Sequence, residues 1–306
     1  MPAQPFLEPK FFVTDAEEMA RAWGGEESLA YTHWLATHHY ENFHVVSFLL
    51  PKRLHQDFYN VYSFCRWADD LGDEIGDTNE SLRLLEWWRG ETVQLFDSGA
   101  ASHPVMVALR DTIRRHELPR EPFLDLIHAF VHDQTTTRYQ SMEELFGYCR
   151  YSANPVGRLV LYLGGYRDPE RQRMSDATCT ALQLANFWQD VSVDLGKGRI
   201  YLPLDVLRRH GGSEADVVAR RHTPAFRRAM VEVVAEARRL FAEGLPLART
   251  VDRRLALDLE LFNRGGMKIL DKVEAQDYDV LSRRPAISKV ERAGLLVACL
   301  FRWALR

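Results

Sequence analysis

Long apolar runs, paired cysteines, a basic stripe and strand-like alternation are scarce or missing in this chain, and each absence excludes something. No apolar run reaches the ~18 residues a helix needs to cross a bilayer. The nearest approach is Gly294–Phe301, flanked by Lys289, Arg292, Arg302 and Arg306. It reads either as a terminal core helix or as a surface-bound amphipathic helix with a basic rim. The four cysteines, Cys65, Cys149, Cys179 and Cys299, lie far apart and form no CxxC pair. That argues against a zinc site and a disulfide framework and fits a reducing, cytoplasmic setting. The formal charge is −4, and the cluster Arg110, Arg114, Arg115 and Arg120 is interleaved with Asp111 and Glu117. It reads as a solvated helix face, so no nucleic-acid partner is expected. The start MPAQPFLEPKFF lacks a basic segment followed by an apolar run, so no signal peptide is expected.

What the chain does have is helical periodicity over most of its 306 residues, 46% of them hydrophobic. In Leu54–Ile75, the residues Phe58, Val61, Tyr62, Cys65 and Ala68 recur on one helical face, which suits a buried stripe. Pro51 precedes this helix, and Gly76-Asp77 is placed to stop it. Ser81–Phe96 repeats the pattern, and further helices are expected over Pro104–Arg115, Pro122–Thr136, Met142–Leu163, Pro169–Leu195, Pro224–Leu247, Val251–Gln276 and Ala286–Leu305. Proline stands at or near several starts, where its missing N–H costs nothing. The expected fold is all-α, a single domain over residues 1–306 with residues 1–20 as a candidate flexible segment. Gly211-Gly212-Ser213 is the expected mobile loop.

The first chemically informative stretch is CRWADDLGDE, Cys65–Glu74. Asp69 and Asp73 stand four residues apart and project from one helix face. Arg66 and Tyr62 lie one and two turns earlier. Four acids crowd together, Asp69, Asp70, Asp73 and Glu74, and like charges at helical spacing repel by a few tenths of a kcal/mol per pair, roughly. A cation would relieve that repulsion. Mg²⁺ suits it, because it takes one or two carboxylates and completes its octahedron with water and phosphate oxygens. The plainer alternative is a solvated acidic helix end.

The second stretch is QLANFWQDVSVDLGKGRIYLP, Gln183–Pro203. Asn186, Asp190 and Asp194 step along one face, with Gln183 one turn before them. Leu184, Phe187, Val191 and Leu195 give the helix an apolar side. The glycines of Gly196-Lys197-Gly198 end it, and Lys197 and Arg199 bring cations to its acidic end. Two such helices facing each other in a bundle could hold Mg²⁺ on a diphosphate, although each alone also reads as a polar stripe facing solvent.

These two stretches resemble the aspartate-rich motifs of the squalene/phytoene synthase family, and the resemblance runs from about His38 to about Tyr278. Glu41-Asn42-Phe43, Tyr148–Gly157 and Asn186–Asp190 resemble most the bacterial branch that forms hydroxysqualene. The resemblance implies an isoprenoid-synthase-type helical bundle with a central apolar cavity. It implies Mg²⁺ ligands at Asp69, Asp73, Asn186, Asp190 and Asp194, and a diphosphate-contacting arginine at Arg66. Tyr62, Tyr148, Gln183 and Tyr278 match polar residues lining the family's cavity. The implied reaction ionises presqualene diphosphate, rearranges the carbocation and lets water capture it, in squalene and hopanoid synthesis. It needs no nicotinamide cofactor, and no GxGxxG follows a strand here. Substrate would pass from and to neighbouring enzymes of the squalene route, with peripheral contact at the inner membrane face.

The chain departs from the condensing members of the family in two places. Their first segment usually carries small hydroxyls and a Lys or Arg before the Phe, where this chain has His38-His39-Tyr40-Glu41-Asn42-Phe43. They commonly have Arg where this chain has Gln189. Both changes remove positive charge, which suits an enzyme with one diphosphate to expel. Glu41 is then a candidate base for the capturing water, with a helix-end hydrogen bond as its plainer alternative. Asp69, Asp73, Asp190, Asp194, Glu41 and Tyr148 make the candidate catalytic set. His39, Asn42, Phe43, Tyr62, Arg66, Gln183, Gln189, Arg199 and Tyr278 make the candidate substrate-contacting set. Phe43, Tyr62, Trp67, Phe187 and Trp188 could flank a cation, though buried aromatics are more often core. The alternatives are a head-to-head prenyltransferase making presqualene diphosphate, squalene or phytoene, and a catalytically inactive helical scaffold.

Overall fold

Prolines and short polar side chains mark where the helices begin. Asp77, Ser141, Asp168, Thr223 and Asp252 each accept a hydrogen bond from a backbone N–H in the first turn of the helix they precede, satisfying donors that have no partner within the helix. The computed structural model describes residues 6–38 and 51–304, with side chains described to 301. Among the described residues there is no strand, and the isolated bridge between Arg138 and Ile200 is the β-type pairing found. The all-α expectation holds.

The chain divides into two compact units, residues 1–135 with 158–166, and residues 136–157 with 167–306. The first contains α1 (Pro9–Phe12), α2 (Ala16–Ala20), α3 (Gly25–His38), α4 (Lys52–Asp73), α5 (Thr78–Ser98), α6 (Pro104–His116) and α7 (Glu121–Asp133). Its core is built on α4, whose Phe64, Trp67, Ala68 and Leu71 are fully buried. Trp67 stacks on Trp88 of α5 at 5.1 Å, and its Nε1 donates to the Tyr31 hydroxyl at 3.0 Å. His103 sits edge-on to Trp67 at 4.2 Å. Its Nδ1 accepts from the backbone N–H of Val105 at the start of α6. A buried polar chain ties α3, α4 and α6 together. Thr32 donates to Asn60 at 2.7 Å, Asn60 to Thr112 at 3.0 Å, and Thr112 to Asp57 at 2.9 Å. Phe12 is 2% exposed against this core.

The second unit contains α8 (Met142–Ser152), the start of α9 (Asn154–Leu163), α10 (Pro169–Gly196), α11 (Leu204–Arg209), α12 (Glu214–Val218), α13 (Pro224–Gly244), a 3-10 turn (Leu245–Arg249), α14 (Arg253–Ala275) and α15 (Lys289–Ala304). The long α10 packs against α8, α13 and α14. Close approach of α13 to α10 depends on Gly244, where a Cβ would stand 2.9 Å from both the Met174 carbonyl oxygen and the Thr178 nitrogen.

Differences from the expected helices have local causes. The helix expected over 142–163 is two, broken at Ala153, because Pro155 offers no N–H to continue the ladder. The helix expected over 224–247 ends at Gly244 and tightens into the 3-10 turn. Helices α1, α2, α3, α11 and α12 were not expected; four of them have six residues or fewer, too short for a period to show. Gly211-Gly212-Ser213 is a fastened turn rather than an open loop. Gly211 adopts φ 83°, the N–H of Gly212 donates to Leu207 O at 2.9 Å, and Ser213 forms a capping box with Asp216.

Candidate active site on two acidic helices

In the first unit, the buried face of α4 decides which acids turn outward. Phe64, Trp67 and Leu71 face the core, and Asp70 is turned inward with a side chain 3% exposed. Asp69 is partly exposed and Asp73 fully so. Arg66 bridges two of the acids, with Nη2 2.5 Å from Asp70 and Nη1 3.5 Å from Asp69. Burial pushes the Asp70 carboxyl up to about 6, and the Arg66 charge opposes that rise. Glu74 pairs with Lys10 at 3.4 Å. The four acids are therefore not one cluster. Asp70 and Glu74 face cations of their own unit, and Asp69 and Asp73 form the outward pair. The end of α4 is held by Gln134, whose amide donates to the Gly72 carbonyl at 3.0 Å.

In the second unit, α10 carries the ladder Asn186, Asp190 and Asp194 beside a buried stripe of Leu184, Phe187, Trp188 and Val191. Asn186 is exposed, and its Nδ2 donates to Asp190 Oδ2 at 3.1 Å. Arg284 meets both Asp190 oxygens, with Nε on Oδ1 and Nη2 on Oδ2 at 3.2 Å. Gln189 is buried and donates to the Pro285 carbonyl at 2.7 Å. Burial pushes the Asp194 carboxyl up to about 7, helped by the Asp190 charge and opposed by Lys197, Arg199 and Arg284. The turn after α10 is tied by Arg138, which donates to Gly198 O at 2.5 Å and to Glu214 at 2.6 Å. The segment Thr137–Gln140 pairs its backbone with Ile200, Leu204 and Asp205.

The donor set fits Mg²⁺. All the outward groups are oxygen donors, which hard cations prefer. The Asp194 carboxyl is raised first by burial and then by the Asp190 charge, a rise that a bound cation would oppose, and a guanidinium already stands on Asp190. Among the described residues no three His, Cys, Asp or Glu side chains form a ready-made metal cluster.

Tyr148 is buried in an aromatic cluster. It lies 5.5 Å from Tyr139 and 6.2 Å from Phe187, and Phe187 stacks on Tyr201 at 3.9 Å and 8°. Tyr62 and Gln183 are half-buried, one turn before Arg66 and Asn186 respectively. Arg199 is half-buried beyond the end of α10. Tyr278 adopts φ 62°, with its ring 5.6 Å from the Arg227 guanidinium. Trp67 and Trp188 are fully buried and are core. His38 Nδ1 bonds to Trp34 O at 3.0 Å, a structural role. His39, Glu41, Asn42 and Phe43 lie outside the described residues. All four cysteines are free thiols.

One residue escaped the sequence reading, and one was misread. Arg284 lies 94 residues from Asp190, and the basic pair Arg283-Arg284 before Pro285 was its faint signal. Gln189 was read as removing positive charge from the acidic face. That expectation needs correction, since Arg284 restores a cation there and the Gln189 amide is engaged by the strap that carries it.

The sequence profile of the squalene/phytoene synthase family matches residues 36–291. The chain is 35% identical to a phytoene synthase of Thermus thermophilus over 260 residues, covering 84% of this chain and 87% of that one. It is 34% identical to a hydroxysqualene synthase of Rhodopseudomonas palustris over 264 residues, covering 83% and 86%. The crystal structure of squalene synthase HpnC from Alicyclobacillus acidocaldarius superimposes with a TM-score of 0.79 at 46% identity, covering 82% of this chain and 95% of that one. A dehydrosqualene synthase in complex with ligand shares the fold, with a TM-score of 0.82 at 22% identity, over 92% and 98% of the two chains.

Proposed function

This chain belongs to the squalene/phytoene synthase family, a family of enzymes acting on isoprenoid diphosphates, and we propose that it converts presqualene diphosphate and water to hydroxysqualene and diphosphate. The observation that carries the proposal is the outward oxygen ladder Asn186, Asp190 and Asp194 on α10, with the Asp194 carboxyl pushed up to about 7 and a guanidinium already on Asp190. Asp69 and Asp73 of α4 supply the second carboxylate set. When bound, Mg²⁺ contributes the positive charge that stabilises the departing diphosphate.

The chain's own residues do the rest. On this reading Asp69 and Asp73 on α4, and Asn186, Asp190 and Asp194 on α10, would hold the metal, and Arg66 and Arg199 would add positive charge for the diphosphate oxygens. The carbon–oxygen bond of the substrate breaks heterolytically, and its electron pair leaves with the diphosphate. The cyclopropylcarbinyl cation left behind rearranges. Aromatic faces such as those of Tyr148 and Phe187 suit a delocalised cation. A water oxygen then forms the new C–O bond and gives up a proton, for which Glu41 is the candidate acceptor. Tyr62, Gln183, Tyr278, His39, Asn42 and Phe43 complete the proposed substrate contacts, while Gln189 is held on the Pro285 carbonyl.

The second reading is head-to-head prenyl transfer. Arg284 favours it, because it restores at Asp190 the positive charge that Gln189 lacks, and the phytoene synthase relative is as similar as the hydroxysqualene synthase. Incubation with presqualene diphosphate and, separately, farnesyl diphosphate, each with and without Mg²⁺, discriminates the two by mass spectrometry of products. Mg²⁺-dependent hydroxysqualene from presqualene diphosphate is expected. Turnover of farnesyl diphosphate alone overturns the first reading.

No described helix is long and apolar enough to cross a membrane. The proposal extends to a cytoplasmic protein touching an anionic bilayer through α15, where apolar substrate and product are exchanged with neighbouring enzymes of the squalene route. That helix buries Cys299 and exposes Val290, Val297 and Phe301, with Lys289 and Arg292 exposed alongside.

A further inference from the structure

Between α14 and α15 the chain runs without helix and is fastened on both sides of Arg284. Gln276 donates its side-chain amide to the Arg283 carbonyl at 2.9 Å. Gln189 donates to the Pro285 carbonyl at 2.7 Å. Arg220 adds a further tie, with Nη2 on Ser192 O at 2.9 Å and Nη1 on Leu281 O at 3.4 Å. These contacts hold backbone, so the strap keeps its place on α10 whether or not the Arg284 side chain stays where it is. The guanidinium itself is about one-third exposed (36%) and bonds among the described residues to Asp190.

That pairing has a consequence for metal binding. Arg284 and Asn186 together engage both Asp190 oxygens. A divalent cation needs a carboxylate lone pair in its inner sphere; the arginine and Asn186 together occupy three of the roughly four that Asp190 offers, and the guanidinium offsets its charge, so the cation and Arg284 compete for it. The contact is also partly open to solvent on the arginine side, and ion pairs that reach solvent are weak enough to exchange. A rigid backbone carrying a weakly held cation is a device for swapping charge without moving the fold.

We propose that Arg284 is the resident counter-ion of Asp190, that Mg²⁺ displaces it, and that the released guanidinium then binds the diphosphate oxygens. The proposal rests on reading Asp190 as a metal ligand. It makes Arg284 act twice with opposite sign, against the metal alone and in favour of the metal with its anion. A merely structural arginine weakens both bindings when removed.

The test is calorimetric titration of the full chain with Mg²⁺ alone, and then with inorganic diphosphate at saturating Mg²⁺. Arg284→Gln is expected to bind Mg²⁺ about tenfold more tightly and diphosphate about tenfold more weakly than the parent. Any other pattern overturns the proposal, including loss of both. If Arg284→Gln does not fold, Arg284→Lys decides. Its single-point contact frees one carboxylate oxygen, so tighter Mg²⁺ binding is expected, and unchanged or weaker binding overturns the proposal. If the parent itself shows no Mg²⁺-dependent binding of diphosphate, the functional reading fails instead, and that result is distinct.

Discussion

The side-chain amide of Gln189 donates to the backbone carbonyl of Pro285 at 2.7 Å, across 96 residues of sequence. One residue on, Asp190 receives the guanidinium of Arg284, the residue before Pro285. The two contacts interlock, the first fixing the strap and the second placing its charge on the acidic ladder. Gln189→Ala removes the donor and leaves a buried carbonyl unsatisfied, at a cost of about 1–3 kcal/mol. A lower urea midpoint, together with an increased exchange rate of amides in residues 276–288, is expected. An unchanged midpoint contradicts the role given to this contact.

Asp69 and Asp70 are neighbours with opposite tasks. Asp69 faces outward, and Asp70 is buried on Arg66. Asp69→Asn should lower kcat with presqualene diphosphate by at least about a hundredfold while leaving the melting temperature nearly unchanged. Asp70→Asn should cost about 1–3 kcal/mol of stability, because it removes the buried carboxylate from the Arg66 bridge. If the two substitutions behave alike in melting and turnover assays, this division of labour is wrong.

His103 gives the first unit an acid-sensitive joint. Burial among Trp67, Trp88 and Phe12 lowers its pKa from 6.5 to about 3, so the folded state prefers the neutral ring. The unfolded chain takes the proton first. Stability from this group is complete above pH 6.5 and is lost as pH falls from there toward 3, by at most about 1.4 kcal/mol per pH unit. His103→Asn keeps an acceptor for the α6 start but cannot titrate. Urea midpoints measured between neutral pH and mildly acidic pH should fall less steeply for the variant, and parallel slopes refute the assignment.

Gly244 lets α13 come down onto α10. A methyl group there meets backbone atoms of Met174 and Thr178, both at 2.9 Å, which a side-chain rotation cannot relieve. Gly244→Ala should destabilise the protein by about 1–3 kcal/mol. Thermal unfolding checks it, and a variant as stable as the parent would mean that the two helices part easily.

The outward stripe of α15 is apolar where a water-facing helix is usually polar. Val297→Ser combined with Phe301→Ser should reduce flotation with phosphatidylglycerol vesicles severalfold. Turnover of detergent-dispersed substrate should persist. Equal flotation of variant and parent removes α15 from the proposed membrane contact.

Period and punctuation in the sequence determined the long helices, the all-α class and the two acidic stretches, because a helix repeats its face every 3.6 residues or so and its ends need caps. The spacing of Asp69 with Asp73, and of Asn186 with Asp190 and Asp194, is likewise local information. Tertiary structure alone decided which acids face outward and which are buried or paired. Asp70 turned inward because the core face of α4 includes it. Asp190 met Arg284 because a strap 94 residues away is fastened beside it. Short helices such as α11 and α12 were invisible for want of a full period. The charge that Gln189 was expected to remove came back from Arg284, since an electrostatic field depends on distance through space and not along the chain.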